Sequence, residues 1–220
     1  MTAKVITVTN QKGGAGKSTL TMQLAGTFAL NNKVMVIDAD PQATATRWAS
    51  SSPDDHPFPA TICGLGAAGG KVHREVKKYL DDYDYIFIDT PPAVDSPVPQ
   101  SALMVSDLAL IPIIPSPPDL WAGIAIKELI ERMNDFNDSL KTRLVINMCQ
   151  SNTTIARDII SIVEEFGIAK TSTSLVLRTA YRQSAAFGCT VNDMKKIAGS
   201  SDDKAIREIN KLKKEIESLL

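Results

Sequence analysis

Cysteine is scarce in this 220-residue chain. Cys63, Cys149 and Cys189 are odd in number and far apart, which excludes a closed disulfide framework and a CxxC metal knuckle. A reducing compartment, the cytoplasm, is the expected setting. No apolar run approaches the roughly 18 residues of a membrane span, and the amino-terminal MTAKVITVTNQ lacks the apolar core, about 7 to 15 residues long, of a signal peptide. The expectation is a soluble, unprocessed chain. Charge of one sign is not in excess either: 24 Lys and Arg stand against 25 Asp and Glu, a net −1. Any contact with a polyanion must therefore come from a local patch. His56 and His73 stand alone, without metal-ligand spacing. The most loop-like stretch, SSPDDHPFP, is too short for a domain linker, and no solenoid-period repeat is visible, so one domain over 1–220 is expected.

What the chain does have is 44% hydrophobic residues, enough for a substantial core. They fall in short β-branched runs, KVITVTN, VMVIDAD, YDYIFIDT, LALIPIIP and RLVINMC, whose near-continuous apolarity implies strands buried on both faces. Between them, Leu20, Leu24 and Phe28 recur every four residues, as do Val72, Val76 and Leu80, and Ile155, Ile159 and Val163. Each set makes one helical stripe. Alternating strands and helices predict an α/β fold, a mostly parallel twisted sheet with helices on both faces, because parallel strands need a crossover and a helix supplies it.

The first strand runs into NQKGGAGKST and then into a helical stripe, the setting a phosphate-binding loop requires. Gly13, Gly14 and Gly16 allow a tight turn whose N–H groups approach phosphate oxygens, and the following helix points its positive end at them. Lys17 is placed to neutralise the β and γ phosphates, Ser18 to ligand a magnesium ion and Thr19 to donate to the α phosphate. Such a site also needs a carboxylate near the metal and a polar group that orients water. Asp38 and Asp40 follow one apolar run and Asp89 ends another. The carboxyl ends of parallel strands are where open α/β sheets bind ligands, so all three are expected on the loop's edge.

The general phosphate-loop pattern wants a glycine where Gln11 stands. What is there instead, KGGAGKST with Lys12 beside the glycines, resembles the deviant Walker A motif of the ParA/MinD family of ATPases, and DADPQ and IDTPP follow in the family's order. The resemblance implies a P-loop NTPase-like fold and an ATP- and Mg2+-dependent ATPase, slow alone. It implies that Lys12 crosses a dimer interface to nucleotide held by the other subunit, that residues 12 to 19, Ala15 included, wrap the nucleotide, that Asp40 activates water, and that Asp38 and Asp89 lie at the magnesium. Asn147 becomes a candidate adenine contact and the Pro115 to Pro118 loop a candidate wall.

Arg178 and Arg182, four residues apart, would share one helix face and form a small phosphate clamp, extended by Lys195 and Lys196. Their stretch resembles the family region that holds DNA without sequence preference. The closing segment DKAIREINKLKKEIESLL carries Ile206, Ile209, Leu212, Ile216 and Leu219 at helical spacing. Its polar face pairs Lys204 with Glu208, Lys211 with Glu215 and Lys213 with Glu217, so docking on the protein body is favoured over lipid. The implied function is a short partition ATPase: an ATP-bound homodimer on nonspecific DNA, released by hydrolysis that a ParB-type centromere-binding protein stimulates, in a cytoplasmic, nucleoid-associated setting. With eleven residues before Lys12, no amino-terminal operator-binding domain is expected. The alternatives are a MinD-like membrane-associated division regulator and a ParA-like ATPase that positions a protein cargo.

Overall fold

Six strands form one all-parallel sheet: β1 (Lys4–Val8), β2 (Val34–Asp38), β3 (Thr61–Gly64), β4 (Tyr85–Asp89), β5 (Leu108–Ile113) and β6 (Lys141–Ile146). They come from a computed structural model that describes residues 2–92, 96–150 and 167–220, and of 117–125 the backbone only. The sheet order is β3-β2-β4-β1-β5-β6. Every residue of β2 and β5 is buried, as their unbroken apolar runs predict. β3 is an addition, for TICG is short and half-exposed and gives no apolar run to read.

The crossovers include α1 (Lys17–Phe28), α2 (Thr44–Ser50), α3 (Val72–Val76), α4 (Pro97–Leu103) and α5 (Pro117–Asn134). They are followed by α6 (Thr179–Ala186), α7 (Met194–Ala198) and α8 (Asp203–Leu219). The period-2 rule sorts each strand between two layers. Ile6, Val8, Val36 and Phe87 join Leu20, Leu24 and Phe28 of α1 on one face, while Val5, Ile37, Ile86 and Ile88 join Val72 and Val76 of α3 on the other. Ile126, Ile130 and Met133 of α5 cover β5 and β6 in a third cluster. The stripe Ile155, Ile159 and Val163 lies outside the described residues.

α8 docks on the body, against α1, with Ile209, Leu212 and Ile216 fully buried. At roughly 1.5–3 kcal/mol per buried aliphatic side chain, this face is a main anchor of the carboxyl end. Asp202 caps it by accepting from the Lys204 and Ala205 amides. Two of the three expected surface ion pairs are replaced. Lys213 meets Glu217, but Glu208 turns inward to Arg178, and Glu215 accepts from the Ser172 amide and hydroxyl and the Thr173 amide. Tertiary donors that hold a carboxylate in place outcompete a mobile lysine one turn away.

Register fixes what comes to the sheet edge. Asp89 pairs across with Val8 on one side and Asp38 on the other, so β1, β2 and β4 end level. The chain leaves β1 toward β2 on one side, and the β4-to-β5 connection crosses to the other. The segment after β1 therefore opens at a switch point, where a crevice is expected.

Candidate phosphate-binding site

α1 begins without a side-chain cap and without an acidic residue in its first turn. Its first N–H groups and positive dipole end are thus left for an outside anion. The entry is made by Gly14 and Gly16, at φ +78° and +85°, a left-handed region costly to other residues. Gly13 is not in that region, so the turn requires two of the three expected glycines. A Cβ at Gly16 would also collide with the Asn147 amide.

The loop is braced from both sides. The Lys17 ammonium donates to the Lys12 carbonyl at 3.1 Å, and Asn10, itself anchored on the Pro112 carbonyl, accepts from the Lys12 amide. Asn147 Nδ2 donates to the Ala15 carbonyl at 2.9 Å while its Oδ1 accepts from the Met148 amide. Asn147 thereby braces the loop, because the β6 end lies directly against Gly16, and it also lines a cavity beside Thr19 and Leu20.

The three carboxylates converge as expected, and each is buried. Asp38 Oδ2 accepts from both the amide and the hydroxyl of Thr46, at 2.8 and 2.7 Å, and Asp40 Oδ1 accepts from the Gln42 amide. Asp89 Oδ1 faces the Thr21 hydroxyl at 3.4 Å, with Ser18 also hydrogen-bonded to the carboxylate. Asp38 Oδ1 and Asp89 Oδ2 have no partner. Burial, with the Asp38 charge beside it, pushes the Asp89 pKa up to about 7 against the Ser18 hydrogen bond and the Lys17 charge. Burial likewise lowers the Lys17 pKa, opposed by Asp89 and Asp40. Two buried carboxylate oxygens without donors are the kind of hard, anionic acceptor that suits a hard cation. No cage of three or more His, Cys, Asp or Glu exists among the described residues. Magnesium needs none, since it is held by one or two carboxylates with water and phosphate oxygens.

Beside Thr19 and Leu20 an apolar cavity opens, walled by Met148, Leu175, Leu177 and Tyr181. Its outer lip carries the two arginines, which do not form the expected clamp. Arg178 precedes α6 in extended backbone and does not share a helix face with Arg182. Its guanidinium is spent on Glu208, both oxygens at 3.2 Å from Nε, with Asp202 at 3.9 Å. Arg182 is exposed. Of the expected purine wall, Pro115 precedes α5, and the Pro117 and Pro118 side chains lie outside the description.

Two contributors escape sequence reading. Thr46 fixes Asp38 through a tertiary contact that leaves no local pattern. Gln23, buried in α1, donates to Ser184 and accepts from the Val191 amide, and a polar residue amid buried helix positions was its only signal.

The family model of the CobQ/CobB/MinD/ParA nucleotide binding domain matches residues 6–191. Maintenance of carboxysome distribution protein A of Halothiobacillus neapolitanus is 29% identical over 214 residues, spanning 97% of this chain and 96% of that protein. Protein ParA of Rhizobium radiobacter is 27% identical over 201 residues, spanning 89% and 88%. Among solved structures, an ATP complex of McdA from Cyanothece superposes with a TM-score of 0.79 over 98% of this chain and 97% of that one. At 17% identity that likeness establishes the fold alone.

Proposed function

The chain belongs to the CobQ/CobB/MinD/ParA nucleotide-binding family as an ATPase of ParA type, and on that premise we propose that it positions a protein cargo by cycling on and off DNA. The observation that carries the cargo reading is the near full-length match to a protein named for carboxysome distribution. The MinD-like reading finds no support in α8, whose apolar face is turned into the core rather than left for lipid. No helix among the described residues is long and apolar enough to cross a membrane.

Under this reading, the first-turn amides of α1 and the loop amides of residues 13 to 16 hold the triphosphate. Lys17 leaves the Lys12 carbonyl for phosphate oxygens. That exchange gives the buried ammonium, whose pKa burial lowers, anionic partners in place of a neutral carbonyl. Ser18, Asp89 and Asp38 would hold magnesium, which when bound would neutralise phosphate charge and favour the ionised form of Asp89. Thr46 keeps Asp38 aimed. Asp40, at the rim of the same carboxylate group, orients the attacking water. Thr19 reaches the α phosphate, and the cavity beside it takes the purine against Met148 and Leu175. Lys12 crosses to the partner protomer's nucleotide, so that the dimer forms only around ATP. Turnover then depends on a partner protein bound to the cargo, in place of a ParB-type centromere-binding protein.

Deletion of the gene tests the cargo assignment. With a fluorescent protein compartment as cargo, spaced foci should collapse into clusters while plasmid and chromosome inheritance stay at parental frequency. Loss of DNA inheritance with compartments still evenly spaced would overturn it in favour of partition.

A further inference from the structure

We propose that the outer face of α8 is the surface that holds DNA, with Lys204, Arg207, Lys211 and Lys214 contacting backbone phosphates. The proposal rests on the reading that the ATP-bound protein is retained on DNA, and it moves the contact away from the expected arginine clamp.

The four cations are spaced by three, four and three residues, which puts them in one row on an α-helix. All four are exposed, and none makes an ion pair among the described residues. The acids that sequence spacing sets against them are withdrawn. Glu208 is drawn in by Arg178 and by the Val176 amide, Glu215 by Ser172 and Thr173, and Glu217 by Lys213. Asp203, at the amino-terminal end, is the one acidic residue of the helix left exposed. Folding thus leaves the basic row outermost, with Glu208 and Glu215 beside it on one flank and Glu217 on the other, each held by its own donors.

The row runs about 15 Å at 1.5 Å per residue, long enough to follow several phosphates of one strand. Lysines on flexible stems make point-charge contacts with no base readout, which suits binding without sequence preference. An anionic membrane is the weaker occupant, because interfacial helices insert an apolar face, and here Ile209, Leu212 and Ile216 are buried against α1. Arg178 cannot do this work. Its side chain is 18% exposed and already faces two carboxylates.

The test uses the full chain with magnesium and a nonhydrolysable ATP analogue, two duplexes of unrelated sequence, and phosphatidylglycerol vesicles. The variant carries Lys204→Gln, Arg207→Gln, Lys211→Gln and Lys214→Gln. Affinity should fall at least tenfold and equally for both duplexes, and the slope of log affinity against log salt should flatten by about 3 to 4 per protomer, from roughly 0.9 per phosphate contact. ATP hydrolysis and analogue-dependent dimerisation should be unchanged. A charge-preserving variant, Lys204→Arg with Lys211→Arg and Lys214→Arg, should bind as the parent does. Parental affinity and slope in the Gln variant would overturn the surface, as would parental binding to the vesicles in preference to duplex. A parent that holds neither duplex would instead overturn the DNA reading beneath it.

Discussion

Replacing Asp89 with Asn tests the electrostatics of the site without nucleotide. Asp89 is fully buried, Oδ2 has no donor, and burial raises its pKa from 3.8 to about 7. The folded protein therefore binds more protons than the unfolded chain between about pH 4 and 7, and stability must fall as pH rises through that window. A raise of about three units at about 1.4 kcal/mol each sets a ceiling on the order of 4 kcal/mol, of which about 2–3 kcal/mol falls between pH 5 and 8. In Asp89→Asn that loss should vanish. The new amide keeps an acceptor for Thr21 but leaves its N–H groups short of partners, a cost of about 1–3 kcal/mol that is constant with pH and cancels from the slope. Urea unfolding of both proteins in chelator at pH 5 to 8 gives the comparison: the difference in stability should move toward the variant by about 2–3 kcal/mol as pH rises. Magnesium with a nonhydrolysable analogue should flatten the parental curve. Parallel curves for the two proteins in chelator would show that Asp89 ionises without difficulty in the folded protein.

Two further outcomes are expected. Lys12→Ala should bind ATP as a monomer but fail to dimerise around it, as read by light scattering at rising ATP; an undiminished dimer would remove the signature role. Ile209→Ala opens a cavity between α8 and α1 and should cost about 2–5 kcal/mol in urea unfolding; a loss under about 1 kcal/mol would mean that α8 is not anchored there.

The sheet and the loop were legible because both are written in consecutive residues. Five apolar runs became strands, and GAGKST opened α1 at the edge where Asp38, Asp40 and Asp89 end or follow their strands. β3 was not legible, since a four-residue edge strand with half-exposed side chains has no period to read. Side-chain commitments were least legible. Nothing local in the sequence says that Asn147 braces Ala15, and Arg178 reads as a clamp until α8 places Glu208 beside it. Spacing of i and i+4 says which charges can meet along one helix. It is silent on a competitor from thirty residues away, and Glu208 and Glu215 both went to such competitors.

On the proposed reading, the position of α8 constrains how ATP can control DNA retention. α8 is tied to α1 by its apolar face and by a chain of buried and half-buried amides and hydroxyls. Asn210 donates to Asn192, Asn192 to the Thr27 hydroxyl, and Thr27 to the Gln23 carbonyl, while the Gln23 side chain bridges Ser184 and Val191. The proposed basic row therefore rides on the rigid body that carries the phosphate loop, and no hinge separates them among the described residues. A surface so fixed is not assembled by nucleotide. Control must then come through copy number: a protomer offers four phosphate contacts, and joining two around ATP makes the second set of contacts intramolecular, which raises retention by avidity without any new contact. Hydrolysis that parts the protomers returns each to the weak, salt-sensitive grip of a single row. In that scheme Lys12 governs DNA retention without touching DNA, and its effect should appear as a doubling of the salt slope on dimerisation rather than as a change in the slope per protomer.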